Sequence, residues 1–432
     1  MLPGKTWKAA FSGGKKFARD TAGATAILFS LGSVVVMGSI AFGVDAANWF
    51  QTDRRLQTGT DLAAVAGASD KILNNVFGFG TSVDLTAIAS AELDRDGVDI
   101  SRLNILEVNS PPSSGAFAGD TNAVEVITSQ DVQIFFAGMF LDATPQAQAR
   151  AVARTSATGN YCILTLDPTQ SGAVTFSGSS SSLLGCGIAS NSNAPNSVLA
   201  NGAATVQTTV VTAVGGIDDN GAIQTPVYFQ EYANPIVDPY DDLVAPPSAA
   251  CDNNNVRASG TTVLSPGVYC GDLRVNDDAE FLPGTYVLDG GDFIINAGAH
   301  AYGDDVTFVF TDSPNATNVG RARFNGTATI EFSASTSGDY AGILFMQDPD
   351  APSTVGNHSQ TWQINGNAGS SFEGVFYVPS SEIELSGSAT FNNGCIQIVS
   401  GAVTISGNFS ITQQCNDPNQ RAIESITVTL VE

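Results

Sequence analysis

The chain has 432 residues, with 17 Lys and Arg against 42 Asp and Glu and a formal net charge of −25. Lys5, Lys8, Lys15, Lys16 and Arg19 all precede Asp20, so the rest of the chain is strongly acidic, which excludes nucleic acid and anionic lipid as partners of that part. Only 14% of residues are charged and 44 are Gly, a texture of exported all-β proteins rather than cytosolic enzymes, and the length allows two or three domains.

From Ala24 to Val44 no side chain is charged. About 20 such residues, at ~1.5 Å rise each, cross a hydrocarbon layer of ~30 Å. The sequence therefore predicts a basic cytoplasmic segment over 1–22 and a transmembrane helix over 23–45, oriented by the Lys and Arg before it, with Trp49 and Phe50 at the outer interface. A cleaved secretory signal is the competing reading, since Val44-Asp45-Ala46 loosely fits a small-x-small site, although the apolar run is longer than such signals usually carry.

Past the span, apolar residues at Ala46, Phe50, Leu56, Ala63, Ala66 and Ala68 recur at helical spacing to about Lys71. Residues 105–108, 123–127 and 131–136 read as strands, with the Pro-Pro-Ser-Ser-Gly turn at 111–115 between the first two, and 147–154 reads as a further strand or a short helix. Residues 46–158 are thus expected to form an α+β module, a long helix followed by a small antiparallel sheet, that resembles a pilin.

From 159 to about 420 short Val, Ile, Phe and Thr runs alternate with Gly, Asn, Asp and Ser. They return on themselves: Gly-Ala-Val-Thr-Phe-Ser-Gly at 172–178 recurs as Gly-Ala-Val-Thr-Ile-Ser-Gly at 401–407, and Pro-Gly-Val-Tyr at 266–269 as Pro-Gly-Thr-Tyr at 283–286. Such repetition predicts a parallel β-helix, with a β-sandwich as the alternative. The proline-rich, strand-poor stretch between about 218 and 265 is expected to loop across the coils, and within 421–432 residues 425–432 alternate like an edge strand. The fold class is therefore mainly β with an N-terminal helical anchor.

Six cysteines fall in three near pairs, Cys162 with Cys186, Cys251 with Cys270 and Cys395 with Cys415, none at C-x-x-C spacing. Disulfides between neighbours are expected, each closing a loop whose constraint stabilises by on the order of 3 kcal/mol in an oxidising compartment. No Gly-x-Ser-x-Gly, Gly-x-x-x-x-Gly-Lys or His-Glu-x-x-His motif occurs. Asp277, Asp278, Asp289, Asp292, Asp304 and Asp305 are candidates for solenoid turns, for weak Ca²⁺ sites or for β-helix catalysis; we read them as turns and expect no enzyme and no cofactor.

Residues 17–68 resemble the N-terminal module of the TadE/TadG-like proteins of Flp (Tad) pilus assembly. The residues that carry the resemblance are Arg19, Asp20 and Gly23 before the span, Asp45 after it, and the run Arg54, Arg55, Leu56, Gln57, Asp61, Ala64, Gly67 and Ala68. The long C-terminal half is similar to that of longer TadG-like members. The Asp-x-Ser-x-Ser metal motif of relatives with a von Willebrand A domain is absent, so no metal site is carried over. With Arg19 five residues after Gly14, the pattern of prepilin-peptidase cleavage is not met either. The resemblance implies a membrane-anchored assembly component in the bacterial inner membrane, N-terminus cytoplasmic and bulk periplasmic or extracellular. Its partners would be other pilus assembly proteins or pseudopilins, met through the N-terminal helix. A membrane-tethered protein that binds or cleaves envelope or extracellular glycans is the alternative.

Overall fold

A computed structural model describes residues 21–77, 84–141, 143–158, 160–224, 228–247, 250–312, 315–367, 369–387, 390–391, 396–411 and 419–432. The chain divides into two compact units, one running to Ser156 and including Val428–Glu432, the other Ala157–Thr427.

The first unit is built on one helix, α1, Thr21–Phe77. Its 57 residues extend roughly 85 Å at 1.5 Å each. The apolar run and the polar, Ala-rich run behind it are thus one uninterrupted rod. The N-terminal half is long and apolar enough to cross a membrane, and none of its apolar window is buried. The C-terminal half packs Leu56, Ala63, Ala64 and Ala68, all fully buried, onto an antiparallel sheet of β1 (Leu103–Asn109), β2 (Ala123–Asp131) and β3 (Gln146–Thr158). The C-terminal strand Ser425–Leu430 pairs beyond β3, so the end of the chain completes the sheet, Thr429 donating to the carbonyl of Arg154, 275 residues earlier.

A second helix, α2 (Leu85–Arg95), covers the same core with Ala89 and Leu93. Asp84 caps it by accepting from the backbone N–H groups of Thr86 and Ala87. No element is expected here from the residues. A strand is expected over 131–136, whereas β2 ends at Asp131 and Ala137–Met139 is a 3₁₀ turn. The reason is that the N–H groups of Phe135, Phe136 and Ala137 are taken by a carboxylate of α1 and are lost to any sheet.

In the second unit every strand pairs in parallel with a strand of the next coil, the pattern of a parallel β-helix. One ladder climbs from Asn253–Ala258 through Gly267–Val275, Gly284–Asp289, His300–Thr311, Ile343–Gln347, Ser371–Gly387 and Ile396–Ile405. It then continues into Tyr161–Thr165, Gly187–Ser190, Val210–Ala213 and Tyr228–Gln230. The stacking order is therefore not the chain order: the last coil lies on the first. The two most similar heptapeptides are direct neighbours, with Val403 opposite Val174, Thr404 opposite Thr175 and Ile405 opposite Phe176. The shorter echo also stacks, but in a shifted register, Gly267 lying opposite Tyr286.

Such an order requires a return segment, and residues 231–247 run along the outside of the ladder. Asn191 exchanges hydrogen bonds with the backbone of Ile236, Tyr240 donates to Gln397, Tyr377 donates to Asp238, and Tyr340 donates to the carbonyl of Val244. Ile236 and Tyr240 are buried. Inside the coils, Phe281, Phe293, Phe308, Phe324, Phe345, Phe372 and Phe376 form a stack with centroids 4.9 to 6.5 Å apart. At one corner successive coils come so close that a Cβ on Gly320 would meet the carbonyl of Gly291, whose own Cβ would meet Gly271.

Candidate functional site

The residues that carry the family resemblance lie on α1, apart from Arg19 and Asp20, which fall outside the described residues. Gly23 is in the first turns of α1. Asp45, one residue past the uncharged run, is buried against the body of the unit. Its carboxylate accepts from three consecutive backbone N–H groups, Phe135 (2.7 Å), Phe136 (2.9 Å) and Ala137 (2.5 Å). One turn on, Asn48 donates to the carbonyl of Gln133 at 2.5 Å. Asp45 thus fastens the loop after β2 to α1 where the apolar rod ends.

Between Arg54 and Ala68 the helix has two faces. Leu56, Thr60, Ala63, Ala64, Gly67 and Ala68 are buried. Thr60 is hydrogen-bonded to Thr128 of β2 at 2.7 Å. The two glycines bring α1 close to its own unit: a Cβ at Gly59 would lie 3.0 Å from Val98 and 3.1 Å from Leu93, and one at Gly67 3.3 Å from Val124. The small residues therefore serve an internal interface, although small residues in such runs also suit helix association in membranes. Gln57 donates to Asp61 at 2.6 Å and to the carbonyl of Arg150 at 3.3 Å, at the edge of that interface. Arg54, Arg55 and Leu62 face outward. Arg55 also lines a polar cleft with Asn48, Asp99, Arg102 and Asp131.

On the far side of the sheet, Glu125 of β2 has no accessible side chain surface. It accepts from the amide and hydroxyl of Ser113 (2.9 and 2.7 Å), from Asn109 (3.0 Å), from Ser114 (3.2 Å) and from Arg150 Nε (2.8 Å). Burial pushes Glu125 up, but the donors of Ser113, Asn109 and Arg150 outweigh it and hold the carboxyl down at about 2. Arg150 also pairs with Glu432, which accepts from the amide of Ala116. This ion triad clamps the turn after β1 and the C-terminal segment onto β3. No sequence motif announced it.

Of the cysteines, Cys162–Cys186 and Cys251–Cys270 are bonded, each joining neighbouring coils with Cα atoms 5.6 and 5.7 Å apart. Cys395 and Cys415 lie outside the described residues. The aspartates of the second unit mostly serve the coil turns: Asp277 accepts from the amide of Gly260, Asp292 from that of Arg321, and Asp305, at φ +55°, from that of Thr336. Asp304 accepts from Ser333, Asp278 opens a strand, and Asp289 ends one. Asn276, Asn296 and Asn325 form a ladder between coils. Among the described residues no three His, Cys, Asp or Glu side chains cluster to hold a metal ion.

This helix and the sheet packed on it fall within the residues that match known families. Residues 23–70 match the family model described as putative Flp pilus-assembly TadE/G-like, and residues 55–153 match the one described as putative Tad-like Flp pilus-assembly. The protein carries a Tad-family module. The two Tad matches overlap on α1 and together span α1, α2, β1, β2 and most of β3. No curated protein matches the chain.

Proposed function

We propose that the protein is a non-enzymatic, membrane-anchored component of Flp/Tad pilus assembly, a minor pilin-like or anchoring subunit. The observation that carries this reading is the coincidence of the TadE/G-like match at 23–70 with a single helix whose apolar half is unburied and whose second half is fixed to a folded Tad module. In this reading α1 crosses the bacterial inner membrane once with the N-terminus in the cytoplasm, and the acidic β-solenoid is exported. Basic residues before the span and disulfides behind it support that orientation. Among the motif residues, the outward-facing Arg54 and Arg55, with Leu62 beside them, are placed to meet other assembly proteins or pseudopilins.

The test is cross-linking in cells from a photoreactive residue at Arg54 or Arg55. Adducts with pilus components are expected. Adducts confined to unrelated envelope proteins would contradict the reading. A cleft of about 430 Å³ in the second unit, lined by Asp272, Asp292, Arg321, Gln347, Gln360 and Trp362, is what a glycan-directed role would use. Of its two acids, Asp272 pairs with Arg274 at 2.6 Å and Asp292 stands 3.8 Å from Arg321 and 3.5 Å from Arg323, which supports a turn-holding role. Binding or cleavage of an envelope glycan by the purified chain, lost in Asp292→Asn, would favour that second reading.

A further inference from the structure

The loop that Asp45 holds has an unusual surface. From Val132 to Leu141 there is no charged residue. Phe135, Phe136, Met139, Phe140 and Leu141 are all exposed, Met139 and Phe140 each to 83%. Large apolar side chains concentrated on one short loop mark an interaction surface rather than the scattered exposure of an ordinary exterior.

Three observations point to what covers it. The loop is bonded to Asp45 and Asn48, directly where the unburied apolar run of α1 ends, a stretch of helix on which Phe42, Val44, Trp49 and Phe50 are also exposed. Six of its backbone N–H groups are already satisfied within the protein. The N–H groups of Phe135, Phe136 and Ala137 go to Asp45, and those of Met139, Phe140 and Leu141 go to carbonyls of Phe136 and Ala137 within the loop. Irregular backbone is tolerated near hydrocarbon only when its polar groups are satisfied in this way. Finally, apart from Gln133, the loop offers no polar side chain for the rim that a protein partner would engage.

We propose that residues 133–141 are a second membrane contact, seated in the headgroup and acyl boundary of the leaflet on the exported side. Aromatic and aliphatic side chains there gain by burial without spanning the bilayer. The module is then held at two points, by α1 and by this loop. Rotation about the α1 axis is restrained, and the side of α1 bearing Arg54 and Arg55 keeps a fixed direction relative to the membrane. Asp45 is the pin that makes this possible, which gives the motif aspartate a positioning role.

This inference rests on α1 being a membrane span, and the test separates the two. The full-length protein is reconstituted in phosphatidylcholine vesicles with p-benzoylphenylalanine in place of Phe140, and separately of Met139, Val36 or Arg95, then irradiated. Val36 lies within the span, while Arg95 ends α2, whose Leu93 packs beside Gly59, about 20 Å beyond Asp45 along α1 at 1.5 Å per residue. A mass increase of one phospholipid is expected at Phe140, Met139 and Val36, and none at Arg95. Lipid adducts at Val36 but not at Phe140 or Met139, or adducts there with a second copy of the chain, would overturn the loop contact. Absence of lipid adducts at Val36 would overturn the span itself, and the loop contact with it.

Discussion

Replacing Glu125 by Ala removes the acceptor for five donors and leaves Arg150 with Glu432 as its ionic partner. Breaking a buried pair costs about 3–5 kcal/mol because the surviving charge is stranded. Arg150 is 31% exposed and keeps Glu432, so the loss here should be smaller, about 2–4 kcal/mol. For a unit of this size each kcal/mol shifts the midpoint by roughly 2–4 °C, giving a drop of roughly 5–15 °C. Calorimetry in detergent micelles measures it, and Glu125→Met combined with Arg150→Met should recover part of the loss by removing both charges. The pH dependence has a fixed sign. A carboxyl held at about 2 in the folded state, against an ordinary value of 4.5, adds stability that is complete above about pH 4.5 and lost as pH falls toward 2. Glu125→Ala should flatten that acid limb. A midpoint within 2 °C of wild type, with the acid limb unchanged, would refute the clamp.

Asp45→Ala should increase amide hydrogen exchange at Phe135, Phe136 and Ala137 while leaving exchange in β2 and β3 unchanged, as mass spectrometry of peptic fragments would show. Burial pushes Asp238 up to about 6, against the Tyr240 amide and the Tyr377 hydroxyl, so its contribution is present at about pH 4 and lost as pH rises through 6; Asp238→Asn should abolish that decline in thermal melts of the chain. Arg54→Glu with Arg55→Glu should reduce surface pili at least several-fold without moving the melting transition, because both side chains face outward. Peptide mapping without reductant should find Cys395 joined to Cys415, in addition to Cys162–Cys186 and Cys251–Cys270; free thiols at those two positions would contradict the pairing by proximity.

The elements governed by local chemistry were legible in the residues. An uncharged run without Pro or a break dictated the rod of α1, and the Pro-Pro-Ser-Ser-Gly turn dictated the hairpin of β1 and β2. What failed were features decided by distant partners. Residues 131–136 alternate like a strand, yet the N–H groups of Phe135 and Phe136, with that of Ala137 just beyond, bond a carboxylate about 90 positions away, and no periodicity reveals that. Helix α2 had a signal, the Asp84 cap before an Ala-rich run, that the neighbouring Gly and Phe residues obscured. The likeness of 172–178 to 401–407 said that both belong to coils. It could not say that they touch, because parallel ladders accept coils in any order that a connecting segment can span. At the candidate site the motif residues were visible, but their division between an inward and an outward face needed the sheet of β1, β2 and β3 to be in place.

The central claim, that this protein is a membrane-anchored part of pilus assembly, is tested most directly by counting surface Flp pili in a strain lacking it and complemented in two ways. Pili are predicted to be lost on deletion and restored by the full chain. They should not be restored by a chain whose residues 1–44 are replaced by a cleavable secretory signal, which exports both units without the anchor. Normal piliation without the protein, or full rescue by the unanchored chain, would contradict the account.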